Sequence, residues 1–362
     1  MILSLLAILA CGHAPLAPPG EQCDNSEDTL LATEDGAAIH LHRHPANGPP
    51  VLVVHGISSN HRCWDLTKDR SLAVALNQAG YDAWLLDLRG HGMAHKDIDG
   101  HNQRDGWTIG HYARYDLNTA IEHIKTQTGV DRLGYVGHSM GGMVALLYVE
   151  MFGDTNFSAM VSVAAPVDFA SPDPLSKWAQ RSTTLTLLSP NVPTARMARL
   201  FSRFQDLPLR VDDLLWSHTN VSPEAQAMLM KTVVSPISRS ELSSINDLWA
   251  SRQLVASDVL SGLTTPLLVL SGKADRIAPP DRVRPLYENA GSEDKTYVLA
   301  GRINGFQHDY GHVDLAVGDA ASEEIYPLIV DWFDGHWNFE SINTRHASPD
   351  DHEPSPPDTV PH

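Results

Sequence analysis

Basic residues are scarce in this chain. Lys and Arg total 26 against 44 Asp and Glu, which leaves a formal charge of −18. So acidic a chain, with no basic patch, argues against nucleic acid and anionic lipid surfaces as partners. Cysteine is rarer still, at three residues. No apolar run reaches the ~20 residues that span a bilayer, and no internal repeat is apparent. What is present suffices for one large core: 362 residues, 42% of them hydrophobic.

The compartment signal is N-terminal. Met1 to Cys11 is a short apolar segment ending in a small residue and a cysteine, and it resembles a bacterial lipoprotein signal, although no Lys or Arg precedes it. The expectation is an exported lipoprotein of the cell envelope or periplasm, anchored through lipidated Cys11; the alternative is a cytoplasmic protein with an apolar stub. With Cys11 lipidated, Cys23 and Cys63 form an even pair, with two independent thiols as the default. Residues 1–30 read as this segment plus a Pro-rich linker. Residues 341–362, rich in Pro, Asp and His, read as a disordered tail.

Between them, over 31–340, strand and helix patterns alternate. Thr29–Thr33 and Ala38–His44 flank an Asp35-Gly36 turn and predict a hairpin. Val51–Val54, Tyr81–Asp87, Arg132–Val136, Ala159–Ala164, Pro266–Ser271 and Lys295–Leu299 predict strands. Helices are expected over Ser71–Ala79, His111–Thr126, Gly142–Val149, 280–288 and Ala320–Phe333, with Pro327 as a possible kink in the last. Such alternation implies an α/β fold, with a mostly parallel central sheet and helices on both faces. From about 168 to 260 the pattern is helical only. Met197, Leu200, Phe201 and Phe204 recur at helical spacing, Ser222-Pro223 starts a second helix, and Ser238 with Glu241 forms a capping box. This predicts a helical cap over the ends of the sheet strands, shaping a substrate pocket.

The sharpest motif is Gly137-His138-Ser139-Met140-Gly141, set between a strand pattern and an apolar helix pattern. A sharp strand–turn–helix around one serine is a nucleophile elbow, and its flanking glycines let backbone pass close to backbone. A serine needs a base, and the base needs an orienting acid. Asp275, in the loop after the strand Leu267–Leu270, is the acid expected, with Asp168 as rival. His312, directly before the apolar run Val313–Val317, is the base expected, with His308 as rival. The oxyanion hole is assigned to the backbone N–H groups of Met140 and Ile57, the second on a loop that Gly56 allows to approach closely. His55 is read as packing or lining the site, without proton transfer.

Taken together, His55-Gly56, Asp87-Leu-Arg-Gly-His-Gly92, the elbow, Gly272-Lys-Ala-Asp275 and Tyr310-Gly-His312 resemble the α/β-hydrolase superfamily over about 31–338. The segment Asp309 to Asp314 is similar to the Tyr-Asn-His-Leu-Asp of its acid lipase branch, with Gly311 in place of that Asn and Met140 in place of the Gln usual after the serine. The resemblance implies a serine hydrolase acting on small-molecule or lipid carboxylic esters, with no metal or organic cofactor. Acyl transfer or carbon–carbon bond hydrolysis on the same triad are the alternatives, and a non-catalytic binding protein is the most distant one. His40, His42 and His44 alternate on one strand face, a spacing open to metal binding. For want of an evident carboxylate partner they are read as an exposed edge-strand face. Arg89, His91 and His95 are read as loop packing.

Overall fold

The computed structural model describes residues 25–103, 106–170, 191–192, 215–217 and 219–337. The segment Met1 to Cys11, Cys23, the Met197–Phe204 helix and the 341–362 tail lie outside the described residues. No described helix is long and apolar enough to cross a membrane.

Eight strands form the central sheet: β1 Glu27–Ala32, β2 Ala38–His44, β3 Pro50–Val54, β4 Asp82–Asp87, β5 Leu133–His138, β6 Phe157–Val163, β7 Leu267–Gly272 and β8 Lys295–Ala300. Their spatial order is β1-β2-β4-β3-β5-β6-β7-β8. β1 pairs with β2 and β2 with β4 antiparallel, and every later pairing is parallel. The sequence carries the reason. Val51–Val54 and Leu267–Leu270 are unbroken apolar runs that need cover on both faces, as a parallel sheet between helices provides. β3, β4, β5 and β7 are buried along their whole length, whereas β1, the edge, is mostly exposed.

Helices α1 Leu72–Gln78, α2 Asn118–Thr128, α3 Met140–Phe152, α4 Pro223–Thr232, α5 Arg239–Ser251, α6 Pro280–Asn289 and α7 Tyr326–His336 follow the expected order. Ser71 caps α1 by accepting from the Val74 N–H, and Ser238 and Glu241 cap each other's backbone at α5. Two expected helices differ. The one over His111–Thr126 opens with a π-helical stretch, Tyr112–Leu117, that carries Asp116 inward to hold Arg89. The last helix is two pieces, Ala321–Glu324 and α7. Pro327 therefore does not kink a helix interior; it sits in the first turn of α7, where a missing N–H costs nothing.

The larger correction concerns the histidines of β2. They are not an exposed edge face, because β1 covers the flank of β2 and the 61–71 loop brings in further polar groups. His40, His42 and His44 are at most 3% exposed. They meet three carboxylates distant in sequence: Asp28 on β1, Asp65 after the buried Trp64, and Asp87 at the end of β4. The reading failed because those partners arrive only through tertiary packing. Arg89 does pack its loop, buried and bonded to Asp116 and Asp35.

Candidate active site

β3 lies between β4 and β5, so chain order reverses there, and the loops leaving β3 and β5 open side by side. Ser139 ends β5 and begins α3. Its backbone has φ 51° and ψ −118°, a strained conformation for a residue with a side chain. It is held there by the Ser139 N–H bond to Val163 O at 2.8 Å. The glycines behave as the motif requires. A Cβ on Gly137 would stand 2.6 Å from Gly142 N, and one on Gly141 would stand 2.5 Å from Val54 O. Ser139 is 5% exposed.

Asp275 and His312 come together from loops that follow β7 and β8. The His312 ring donates from Nδ1 to Asp275 Oδ2 at 2.7 Å, while Asp275 Oδ1 accepts the Ile277 and Ala278 N–H groups at 2.8 Å each. One carboxylate oxygen is thus fixed by backbone, and the other fixes the imidazole. Gly272 makes the meeting possible, since a Cβ there would run into Tyr310 O at 2.5 Å, and Ala274 N–H donates to that same carbonyl. The rivals sit otherwise. Asp168 turns its carboxylate to the Ala170 N–H. His308 is half-buried, and its Nδ1 has no hydrogen-bond partner among the described residues.

The β5 loop also braces His312 from behind. His138 donates from Nε2 to His312 O at 3.0 Å, with the two rings 4.8 Å apart. Burial holds the His138 imidazole neutral, its pKa pushed down to about 3. His55 is pushed down to about 3 as well, by burial first and by neighbouring His91 second. Its hydrogen bonds fit the neutral ring: Nδ1 donates to Gly56 O, and Nε2 accepts from the Leu88 N–H.

Met140 is the first residue of α3, where backbone N–H groups have no carbonyl four residues earlier within the helix. The Gly56-Ile57 loop reaches the elbow, for a Cβ on Gly56 would lie 3.1 Å from Ser139 Cβ. Ile57 is half-buried, and Ser58 beside it has φ 54°. That strained turn is held by the chain following α4. Ser58 Oγ donates to Ser235 O at 2.7 Å, the Ser235 N–H donates to Ser58 O at 2.9 Å, and Asn60 Nδ2 donates to the Thr232 and Val233 carbonyls. Sequence reasoning did not single out Ser58, Asn60 or Ser235. The one local signal was the polar run Ser58-Ser59-Asn60 in the loop after a buried strand.

The second contact of the 168–260 segment explains a departure from the acid lipase pattern. Trp216 and Ser217 pack on the His312 loop so closely that a Cβ on Gly311 would meet Ser217 N at 3.1 Å and Asp314 Oδ1 at 2.7 Å. Asn220 Nδ2 donates to Asp314 Oδ2 at 3.0 Å, and burial raises the Asp314 carboxyl to about 6. An asparagine at 311 would not fit here without movement of that segment.

With this geometry in view, comparison with known proteins is direct. Residues 49–310 match the family described as serine aminopeptidase, S33 (Hydrolase_4). The poly(3-hydroxyalkanoate) polymerase subunit PhaC of Haloferax mediterranei is 22% identical over 307 residues, 78% of this chain and 58% of that protein. Lipase lipl-5 of Caenorhabditis elegans is 35% identical over 134 residues, 33% of each chain. The chain therefore spans less than two thirds of the length of either. The esterase EaEST from Exiguobacterium antarcticum superposes with a TM-score of 0.60 at 20% identity, covering 84% of this chain and 99% of its own. A mostly parallel eight-stranded sheet, a serine at a strained strand–helix turn and a match over residues 49–310 lead to one conclusion: the chain belongs to the serine aminopeptidase S33 family of α/β-hydrolase-fold serine hydrolases.

Proposed function

We propose that the protein hydrolyses carboxylic esters with a moderately hydrophobic acyl or alcohol portion, through an acyl-enzyme on Ser139. The observation that carries this reading is the buried His312–Asp275 bond, formed by loops that leave the same sheet as the serine turn. In this mechanism His312 Nε2 takes the Ser139 Oγ proton as Oγ attacks the ester carbonyl. Asp275 holds the ring in the tautomer that leaves Nε2 able to accept. The Met140 and Ile57 N–H groups carry the oxyanion. The same Nε2 returns its proton to the departing alcohol, and then takes one from the water that releases the acid.

The segment from 168 to 260 acts as the cap in this reading. Support comes from its contacts at Thr232, Val233 and Ser235 on the Ile57 loop and at Leu215 and Asn220 on the His312 loop. A fluorophosphonate probe should label wild type at Ser139 and leave Ser139→Ala unlabelled. A p-nitrophenyl ester series should show turnover rising from acetyl to medium acyl chains, as expected when each buried CH₂ contributes about 0.8 kcal/mol. No labelling and no turnover of any ester would overturn the proposal. The similarity to a polyhydroxyalkanoate polymerase subunit favours acyl transfer as the second reading. Added alcohol or thiol acceptors that divert the acyl group from water would decide for it.

A further inference from the structure

The buried histidines of β2 take no part in this mechanism, and their geometry asks for a cation. We propose that His42 Nε2, His44 Nε2 and Asp65 Oδ2 form a binding site for a single divalent transition ion of the zinc class, with Asp28 as the carboxylate that orients His42. One ligand atom from each of the three residues lies within 4.8 Å of the other two. His42 Nε2 is 3.5 Å from Asp65 Oδ2, and His44 Nε2 is 3.1 Å from it. Tetrahedral ligands at zinc–nitrogen and zinc–oxygen lengths of about 2.0–2.1 Å stand about 3.4 Å apart, so two of the three separations already fit.

The placement of the ring supports the assignment. His42 Nδ1 lies 2.8 Å from Asp28 Oδ1, and the buried Nε2 lies 3.5 Å from Asp65 Oδ2. With a carboxylate beside each ring nitrogen, a positive charge belongs between Nε2 and Asp65, and either a ring proton or a metal ion can supply it. Histidine ligands of metals commonly donate their other ring N–H to a carboxylate, as His42 does to Asp28. On metal binding the proton that His44 Nε2 shares with Asp65 moves to His44 Nδ1 or to solvent, freeing the second nitrogen. The site joins β2 to the Asp65–Thr67 strand, and through Asp28 to the edge strand β1, so the ion would clamp the antiparallel hairpin to the body of the sheet.

A neighbouring trio, His40, His61 and Asp87, meets the same separation limit and is the poorer host. Asp87 Oδ2 already accepts the Met93 N–H at 2.8 Å and His61 Nδ1 at 2.9 Å, and Oδ1 accepts the His61 N–H at 2.7 Å. Backbone at Gly92 packs directly on this carboxylate, which is fully buried. Asp65 is half-buried, with its side chain 15% exposed, which leaves an approach and a fourth position for water.

The test uses the full chain, stripped with a chelator, incubated with Zn²⁺ and passed through gel filtration before metal analysis. One equivalent should be retained and should raise the melting temperature. His42→Gln, His44→Gln and Asp65→Asn should each abolish retention. Asp28→Asn should keep the stoichiometry and weaken affinity by about 10–100-fold, as loss of an orienting carboxylate does. His61→Gln should still bind. Co²⁺ should give the intense visible bands of a four-coordinate nitrogen–oxygen site in wild type, so the idea stays testable where a buried variant fails to fold. A wild type that retains no Zn²⁺ would mean that protons alone fill the cluster, and would sink the proposal. So would retention in every variant, which points to scattered surface histidines, or weak six-coordinate Co²⁺ bands. Loss in His61→Gln with retention in His44→Gln would place the metal in the other trio and equally overturn it.

Discussion

Two buried histidine–aspartate systems among the described residues leave their imidazoles in opposite conditions. At the strand ends, one carboxylate meets one imidazole: Asp275 is tied to backbone through Oδ1 and to His312 Nδ1 through Oδ2. Among the described residues, the other ring nitrogen of His312 meets no carboxylate. On β2 the carboxylates press from both sides. His40 faces Asp28 and Asp87, and His42 faces Asp28 and Asp65, each ring with a carboxylate at both nitrogens. An imidazole held at one nitrogen can pass a proton through the other. An imidazole held at both is fixed charge or a ligand. Residue type is the same in the two places; in the proposed mechanism the number of carboxylate neighbours separates chemistry from scaffolding.

The hardest strike at this comparison is to remove the reacting pair. Ser139→Ala and His312→Ala should each cut ester turnover by about 10⁶, because the two act as one unit. His40→Gln should instead lower the melting temperature and leave kcat near wild type. Steady-state kinetics beside thermal unfolding checks both. A His40 variant as dead as His312→Ala, yet folded, would erase the distinction.

A subtler change keeps the shape and alters only the acceptor. Asp275→Asn should lower kcat by about 10⁴, since an amide favours the wrong imidazole tautomer. Asp168→Asn should have little effect, its carboxylate being engaged with a neighbouring backbone N–H. The reverse pattern in kcat would move the acid to the loop after β6.

Acid should expose the histidines that are held neutral by burial. His55 and His138 take up a proton near 6.5 when unfolded and only near 3 when folded. The unfolded state therefore binds more protons in that window, and stability falls as pH drops from about 6.5 toward 3. Asp116 and Asp314, raised by burial to about 6, act with the opposite sign between about 6 and 3.8. His55→Gln isolates one contribution. Denaturant melts at pH 6 and pH 4 should show a slope of stability on pH reduced by up to one proton per chain. An unchanged slope would mean that His55 is charged in the fold.

Much of this was legible in the sequence, for local reasons. Ser139 could be found because strand, glycine-flanked turn and helix are contiguous; the Asp275 loop directly follows an apolar strand pattern, and His312 directly precedes the apolar run Val313–Val317. The β2 histidines were misread because His42 and Asp65 are brought together by packing across the 61–71 loop, and no period in the sequence records that. Arg89 was read as loop packing and does pack its loop, but its partners Asp35 and Asp116, on the first hairpin and on a π-helical turn, were equally invisible in the sequence. Pro327 was placed in the right helix at the wrong point, since the break at Ile325 has no glycine or cap to announce it.

The smallest effect tests whether the segment beyond α4 supports the site or merely covers it. Asn60 Nδ2 donates to Thr232 O at 3.0 Å and to Val233 O at 2.8 Å, and Asn60 Oδ1 accepts the Arg62 N–H at 3.0 Å. Asn60→Ala leaves two carbonyls and an N–H in a buried loop without that side chain, a change that costs about 1–3 kcal/mol. Ile57 lies three residues away on the same strained turn, so its N–H should drift from the position an oxyanion needs. An oxyanion donor acts in the transition state more than in the ground state, so the loss should fall on kcat, by about tenfold, with KM little changed. Ser235→Ala removes an Oγ that meets Asn60 Nδ2 at 3.3 Å and leaves the Ser235 backbone bonds in place, so its effect should be smaller in the same direction. If both variants instead raised KM at constant kcat, the contact would belong to substrate binding, and the segment beyond α4 would be a wall of the pocket with no hold on the oxyanion loop.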